Sequence, residues 1–181
     1  ASEGIDLGRK FLQMRASPKI LLCNTYEEAW NFYARYKHYL LGIISDVDFP
    51  RGGVQDSKAG IYLTRQIRKE SMELPILLLS NAIENKRFVE RLNVSFIAKN
   101  SSNFLNDLKK FLEYQFRFGD FVFQMPDGKE IARASDMKSL EELLKIVPEE
   151  SVRYHAERNH FSAWLKARTE FWIADKIRPR K

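Results

Sequence analysis

The sequence predicts two domains in succession, an α/β domain with a parallel sheet over residues 1–116 and a small α+β domain over residues 117–181. In the first domain, short apolar runs alternate with helical patterns, which is typical of a parallel sheet with helices on its faces. The runs are apolar at every position, as in strands buried on both sides. After residue 116 the pattern changes to a hairpin with a turn, followed only by helices.

The composition limits the class of protein. The 181 residues are 44% hydrophobic and 30% charged, which is typical of a globular chain and not of a disordered or fibrous one. The single cysteine, Cys23, excludes an intramolecular disulfide framework and a cysteine-rich zinc site. No apolar run approaches the roughly 20 residues of a membrane span, and the first residues lack the apolar core of a signal peptide. We therefore expect a cytoplasmic protein without membrane contact.

The chain has a net charge of +6, from 30 basic and 24 acidic residues, and the last six residues are the most basic stretch. A nucleic-acid-binding surface combines a basic face with interleaved aromatic side chains. Here the positive charge is thin, no helix-turn-helix pattern is visible, and cations at a helix end suit the helix dipole. A nucleic-acid partner is therefore not expected.

Apolar periodicity and capping residues predict the elements of the first domain. Four apolar runs are expected to be buried strands, at residues 19–23, 41–46, 74–80 and 94–99. Four helical patterns are expected at residues 25–39, 61–71, 84–92 and 104–114. Thr25 is followed three residues later by Glu28, which is the pattern of a capped helix N-terminus. A glycine-rich loop is expected at residues 49–60.

The second domain is expected to begin with a β-hairpin, in which residues 121–125 and 130–134 flank a Pro-Asp-Gly turn. A short helix over residues 140–147 ends at Pro148, and one long or two short helices are expected over residues 149–177. Large apolar residues at helical spacing in that last stretch predict a packed core or an interface.

Three polar side chains stand at the ends of predicted strands: Asp46, Ser80 and Lys99. In open parallel sheets, functional groups gather at the carboxyl ends of the strands. A carboxylate can act as a nucleophile and form an acyl phosphate, while a hydroxyl and an ammonium group can bind phosphoryl oxygens. These residues therefore predict a phosphoryl site, and the alternative is that the strands simply finish in polar residues.

Residues 19–114 resemble the receiver domains of two-component signalling systems. The strand that ends at Asp46 resembles the phosphoacceptor strand, and the next resembles the switch strand, with Ser80 at its Ser/Thr position. The last strand has Phe96 at the aromatic switch position and Lys99 at the phosphate-sensing lysine. The resemblance implies a flavodoxin-like parallel sheet that lacks its first strand, with Asp46 as the phosphoacceptor.

The sequence departs from the receiver pattern where the family places two acids that hold Mg²⁺. Residues 1–18 contain only Glu3 and Asp6, and neither follows an apolar strand. Mg²⁺ is therefore expected only if an acidic pair lies upstream in a larger parent protein. The candidate metal ligands within this chain are Asp46 and Asp48.

The chain as a whole is similar to the N-terminal regulatory region of large Bacteroidetes proteins of the phosphoenolpyruvate synthase and pyruvate phosphate dikinase type. The similarity lies in the motifs at residues 15–22, 43–46, 116–123 and 147–171. It implies a receiver-like region and a connector, followed in the parent by an ATP-dependent phosphotransferase that acts on pyruvate. No catalytic residue and no enzymatic activity is expected in this chain itself.

The implied partners are a downstream catalytic domain of the same parent or a sensor kinase. A missing first strand would also leave an open sheet edge, which a second copy of the chain or residues 5–16 would cover. Because His155 and His160 are five apart, they are expected on different sides of one helix, which argues against a metal site. Six residues are expected to form a polar surface that recognises another domain: Tyr154, His155, Arg158, Asn159, Trp164 and Arg168.

Together these observations predict a regulatory signalling module with a receiver-like phosphoacceptor. The main alternative is a structural interaction platform that is never phosphorylated. A nucleic-acid-binding response regulator is a third and weaker hypothesis, because the positive charge is thin.

Overall fold

The computed structural model describes residues 19–178. The expectations that concern Glu3, Asp6 and residues 5–16 lie outside the described residues. Within this range, none of the helices combines the length and the apolar character that a membrane crossing requires.

The chain divides into two compact units. Residues 21–116 form the first, called here the sheet unit. Residues 117–178 form the second, called here the C-terminal unit, to which residues 19 and 20 also belong.

The sheet unit is an α/β structure, as predicted. Its strands are β1 (Ile43–Asp46), β2 (Phe49–Arg51), β3 (Val54–Asp56), β4 (Ile76–Ser80) and β5 (Ser95–Ala98). Its helices are α1 (Tyr26–Tyr36), α2 (Ala59–Glu70), the single turn α3 (Lys86–Val89) with a 3₁₀ turn on each side, and α4 (Phe104–Tyr114).

The parallel sheet has the strand order β1-β4-β5, so β4 is the central strand. Alternate residues of β4 point to opposite faces of the sheet. Leu78 packs with residues of α1 and α2 in one apolar cluster, whereas Leu77 packs with Phe111 of α4 in another. Both faces are therefore covered, which explains why the strand is apolar at successive positions.

Residues 19–23 do not form the predicted strand. They have no regular secondary structure, and the side chains of Ile20 and Leu22 are 84% and 83% exposed. A strand needs a neighbour to pair with its backbone amides and carbonyls, and no strand within residues 19–178 pairs with this segment. The apolar run has the composition of a strand, but it pairs with neither edge strand of the parallel sheet, β1 or β5.

Helix α1 begins where the capping pattern predicts. The hydroxyl of Thr25 accepts a hydrogen bond from the amide of Glu28 at 3.2 Å, and the carboxylate of Glu28 accepts one from the amide of Asn24 at 2.8 Å. These bonds satisfy amide groups that have no partner inside the helix. The helix ends at Tyr36, three residues earlier than predicted.

A buried arginine joins α2 to the segments on either side of β4. Arg68 is 8% exposed, and its guanidinium donates hydrogen bonds to four backbone carbonyls at 2.9 to 3.0 Å. The carbonyls belong to Ser71, Leu74, Leu92 and Asn93. Burial lowers the pKa of Arg68. The side chain therefore satisfies carbonyls in two loops that regular secondary structure leaves unpaired.

The C-terminal unit begins with an antiparallel hairpin, as predicted, of β6 (Phe121–Gln124) and β7 (Glu130–Ala134). Four helices follow: α5 (Met137–Leu144), α6 (Glu149–Glu157), α7 (His160–Ala167) and α8 (Phe171–Ile177). The prediction of one long or two short helices after residue 148 was wrong. Asn159 and Thr169 adopt left-handed backbone conformations, with φ of 60° and 64°, and each ends a helix.

The core of the C-terminal unit is aromatic. The rings of Phe121 and Phe161 stack with centroids 4.7 Å apart, and the ring of Trp164 meets Phe121 edge-on at 5.9 Å. Trp164 and Phe123 are fully buried. Three residues of the predicted apolar stripe are therefore core, Phe161, Trp164 and Leu165, whereas Trp172 of the same stripe is 70% exposed.

Replacement of Arg68 by methionine tests how far this side chain holds the sheet unit together. We expect Arg68→Met to lower the free energy of unfolding by about 3 kcal/mol, because four buried carbonyls lose a charged donor. The matched control is Arg65→Met on the exposed face of the same helix, which should change it by less than about 0.5 kcal/mol. Urea denaturation, followed through the amide NMR signals of β4, measures both, and equal effects would contradict the assignment.

Candidate functional site

Parallel pairing brings the polar ends of three strands to one edge of the sheet. Asp46 is the last residue of β1, Ser80 is the last residue of β4, and Lys99 directly follows β5. The amide of Lys99 donates to the carbonyl of Ser80 at 2.9 Å, and the amide of Val47 donates to the carbonyl of Leu79 at 3.0 Å. These bonds continue the backbone pairing beyond the strands, so that the three strands end at the same edge of the sheet.

Asp46 and Lys99 form an ion pair at this edge. The Nζ of Lys99 lies 2.6 Å from the Oδ2 of Asp46, although the residues are 53 positions apart in the chain. Their side chains are 44% and 37% exposed, respectively. The carboxylate is therefore accessible to a solute from the solvent, and a cation stands beside it.

Ser80 is held differently. Its residue is 8% exposed, and its hydroxyl oxygen accepts hydrogen bonds from the amide of Ala82 at 3.1 Å and the side-chain amide of Asn85 at 3.0 Å. The hydroxyl therefore anchors the loop after β4. No hydrogen bond within the described residues joins it to the side chains of Asp46 or Lys99. The role of Asn85 was not predicted, because its sequence position within the helix expected at residues 84–92 gives no sign of a contact with Ser80.

Phe96 lies on β5, paired with Leu78 of β4. Its half-buried ring packs against the apolar cluster that contains Leu78, and the residue also lines an open groove of about 280 Å³ between β5 and α4. The ring is therefore positioned between the sheet core and the surface of the unit.

The predicted glycine-rich loop contains a β-hairpin. Strands β2 and β3 pair antiparallel across Gly52 and Gly53, which both have positive φ, 63° and 80°. Two consecutive residues with positive φ make the two-residue turn that matches the twist of a hairpin. The Gly-Gly dipeptide was the available signal for this turn, but the short strands around it lack an apolar alternation.

Contacts with α1 and α2 hold this hairpin in place. The amide of Gly52 donates to a carboxylate oxygen of Glu27 at 2.9 Å, and this bond lowers the pKa of Glu27. The guanidinium of Arg51 lies 4.3 Å from the ring centre of Tyr62 and 5.8 Å from that of Tyr26. The hairpin is therefore anchored beside the end of β1, from which it emerges.

The two candidate metal ligands have different hydrogen-bond partners. Asp48 points toward the hairpin, where its carboxylate accepts a hydrogen bond from the side chain of Gln55 at 2.6 Å, while Asp46 pairs with Lys99. Mg²⁺ prefers near-octahedral oxygen ligands, and no group of three acidic, histidine or cysteine side chains is placed to hold a metal ion within residues 19–178. The carboxylates of Asp46 and Asp48 are thus engaged by Lys99 and Gln55, and the described residues present no formed Mg²⁺ site.

Gly60 fixes the backbone of Asp46. Its amide donates to the carbonyl of Val47 at 3.0 Å, and a Cβ atom at this position would overlap the carbonyl oxygen of Asp46. Glycine is needed here for a close approach of α2 to β1. The first turn of α2 therefore contacts the backbone at the end of β1, where Asp46 is the candidate nucleophile.

The six residues expected to form a recognition surface are divided in the structure. His155 and Trp164 are 1% and 0% exposed, so the prediction that they lie on a surface was wrong. The indole of Trp164 donates to the carbonyl of Gly119 at 3.0 Å, and the guanidinium of Arg168 lies 3.4 Å from the centre of the Trp164 ring system. These aromatic side chains are part of the core and leave no free face for a partner domain.

The remaining residues of that set are more accessible. The guanidinium of Arg158 is exposed and lies 4.1 Å from the ring centre of Tyr154, and Asn159 forms the left-handed corner between α6 and α7. Because of this corner, His155 and His160 meet, with their Nδ1 atoms 2.9 Å apart. The expectation that the two histidines lie on different sides of one helix was therefore wrong.

No protein-family model, curated protein sequence or solved structure matches this chain.

The exposed ion pair should contribute little to stability. We expect Asp46→Asn and Lys99→Met each to change the free energy of unfolding of the sheet unit by less than about 1 kcal/mol, because solvent screens a pair this exposed. Urea denaturation at low salt measures the effect. A loss as large as that of a core substitution would show that the pair is structural.

A substitution at Gly60 should destabilise the sheet unit more than a substitution in the Asp46–Lys99 pair, although Gly60 has no side chain. Gly60→Ala should lower the free energy of unfolding by about 2 kcal/mol, because the added methyl group overlaps a backbone carbonyl. Arg65→Ala, at an exposed position of the same helix, is the control and should be close to neutral. The amide chemical shifts of residues 45–48 should move in Gly60→Ala only, and unchanged shifts there would contradict the contact.

Proposed function

We propose that the sheet unit is a receiver-like, flavodoxin-like signalling module in which Asp46 accepts a phosphoryl group. The observation that carries this proposal is the ion pair between Asp46 and Lys99 at the carboxyl edge of the parallel sheet. An accessible carboxylate beside an ammonium group is suited to nucleophilic attack on phosphorus, since the cation offsets the charge of the incoming group.

The proposed reaction uses a phosphoanhydride or acyl phosphate donor. A carboxylate oxygen of Asp46 forms a bond to phosphorus, the bond between phosphorus and the leaving oxygen of the donor breaks, and the electron pair leaves with that oxygen. The product is an acyl phosphate on Asp46. Lys99, 2.6 Å from the carboxylate before reaction, then binds a phosphoryl oxygen, so the pair is exchanged for a new charge-assisted bond.

Phosphorylation would be sensed through the strand ends. The amide of Lys99 is bonded to the carbonyl of Ser80, and the hydroxyl of Ser80 is bonded to the loop that leads to α3. Movement of Lys99 toward a phosphoryl group would therefore act on this loop, while Phe96 on the same strand borders the groove next to α4. The module would report its state to a sensor kinase or to a catalytic domain of the same parent.

The resemblance to the regulatory region of phosphoenolpyruvate synthase and pyruvate phosphate dikinase proteins supports a parent in which such a module controls phosphotransfer. In this proposal the C-terminal unit is the connector to the catalytic part. The chain itself carries the regulatory function and not the catalysis.

A second candidate function is a platform for protein interaction that is never phosphorylated. One observation favours it: both candidate acids already have short polar contacts, Asp46 with Lys99 and Asp48 with Gln55, each at 2.6 Å. A permanent ion pair would then have the structural role of linking the ends of β1 and β5 at the sheet edge.

Treatment of the full chain with acetyl phosphate, with and without Mg²⁺, separates the two functions. We expect a mass increase of one phosphoryl group that hydroxylamine removes, as an acyl phosphate requires. Asp46→Asn should abolish the increase, and the neighbouring Asp48→Asn is the matched control that should retain it. Lys99→Met should slow the reaction by roughly 10²-fold, because a cation beside the developing charge is lost.

Two outcomes would contradict the assignment of Asp46 as the phosphoacceptor. Absence of an adduct on the folded wild-type chain in both conditions would reject the phosphoacceptor function and leave the platform. An adduct that persists in Asp46→Asn would place the reactive group elsewhere.

A further inference from the structure

Two histidines of the C-terminal unit form a hydrogen-bonded pair at the corner between α6 and α7. His155 lies in the last turn of α6 and is 1% exposed, and His160 is the first residue of α7. The left-handed conformation of Asn159 turns the chain between them, so that the two Nδ1 atoms lie 2.9 Å apart. One ring must therefore donate a proton to the other.

The hydrogen bonds determine which nitrogen carries each proton. The amide of Gln124 donates to the Nε2 of His155 at 2.8 Å, so this Nε2 carries no proton. A neutral imidazole carries one proton, which then lies on the Nδ1 of His155 and is donated to the Nδ1 of His160. His160 in turn carries its own proton on Nε2. With both nitrogens of His155 engaged in this way, no lone pair remains on it for a metal ion.

The pair connects the helices to an irregular part of the hairpin. The register of β6 and β7 shifts between Phe123 and Gln124, so that Ile131 of β7 is skipped and Gln124 pairs with Glu130. Two side chains of α6 bind the backbone of Gln124: the hydroxyl of Ser151 donates to its carbonyl at 2.9 Å, and His155 accepts from its amide. Ser151 is 0% exposed. The docking of α6 on β6 therefore depends on the uncharged form of His155.

The surroundings of the pair favour neutral rings. The rings of Phe121 and Phe161 lie 5.0 and 6.0 Å from that of His155. The charged groups that act on the pair are cations, Arg117 from the segment before β6 and Arg158 from the end of α6, and Tyr154 contacts both rings. Burial, with these cations, lowers the pKa of His155 to about 4 and that of His160 to about 3.

We propose that the His155–His160 pair is an acid-sensitive joint, which holds α6 and α7 against the hairpin while both rings are neutral and releases them when either ring takes up a proton. A proton on the Nε2 of His155 would face the amide of Gln124, donor against donor. A proton on the Nδ1 of His160 would face the Nδ1 proton of His155. Each addition therefore breaks a hydrogen bond inside an apolar core.

The direction of the pH effect follows from the two states of each histidine. In the unfolded chain a histidine binds a proton near its ordinary pKa of about 6.5, whereas the folded pair does not do so until much lower pH. Between these values the unfolded state holds more protons, so acid favours unfolding. Each histidine adds up to about a tenfold rise in the unfolding equilibrium constant per pH unit, and the pair up to about 100-fold.

The first test observes the protons directly on the full chain. Long-range ¹⁵N–¹H spectra of the imidazoles at neutral pH should show His155 with its proton on Nδ1 and His160 with its proton on Nε2. The reversed tautomers, or a charged ring on either residue, would overturn the proposal.

The second test measures the unfolding of the C-terminal unit between about pH 6 and 5, where histidine dominates the titration and carboxylates contribute little. The chain has three histidines, and His38, exposed in the sheet unit, gives the matched control His38→Gln. His160→Leu should reduce the pH dependence from up to about 100-fold to up to about tenfold per pH unit, and His38→Gln should leave it unchanged.

Equal pH dependence in wild type and His160→Leu would reject the joint. If His160→Leu does not fold, the tautomers of the wild-type chain decide the question by themselves. The amide signals of Gln124 and of α6 should also be the first to disappear from the spectrum of the folded chain on acidification, and retention of these signals while other parts of the unit unfold would equally reject it.

Discussion

The parallel pairing of β4 with both of its neighbours is the constraint on which the candidate site depends. Asp46 pairs with Leu79 in one register, and Ser80 pairs with Ala98 in the other, so the three strands finish at one edge. Burial on both faces of β4 fixes these registers, because a shift by one residue would turn its side chains to the opposite face. The contact between Asp46 and a lysine 53 positions away is thus a consequence of backbone pairing.

Elements were predictable where local pattern and tertiary packing agree. Helix α4 has the predicted bounds, and the three strands of the parallel sheet lie within the predicted apolar runs. Residues 19–23 show the opposite case, since apolar character indicates a tendency to form a strand but not whether a neighbouring strand exists. The hairpin at Gly52 and Gly53 was missed because its strands are only three residues each and are stabilised by contacts with Glu27 and other distant side chains.

The meeting of Asp46 and Lys99 at one sheet edge was predictable, but the partners of Ser80 and Asp48 were not. Strand ends identify Asp46 and Lys99 as candidates, whereas the attachment of Asp48 to Gln55 depends on how the hairpin folds. The error about His155 and His160 has a similar origin. Five positions separate two faces of a continuous helix, but one residue with φ of 60° between them breaks the helix, and asparagine is among the residues that adopt this conformation readily.

The Asp46–Lys99 pair and the His155–His160 pair are opposites in their relation to stability. The Asp46–Lys99 pair is about two-fifths exposed, so water screens its charges and the fold tolerates its rearrangement. His155 is buried among aromatic rings and His160 is partly exposed, and the charged groups that act on the two rings are cations, so no acid compensates a new charge there. The proposed phosphorylation of Asp46 would therefore change the charge of a pair that can rearrange while the sheet stays folded. A new charge at the His155–His160 pair must instead be relieved by separation of the helices and the strand that pack around the pair.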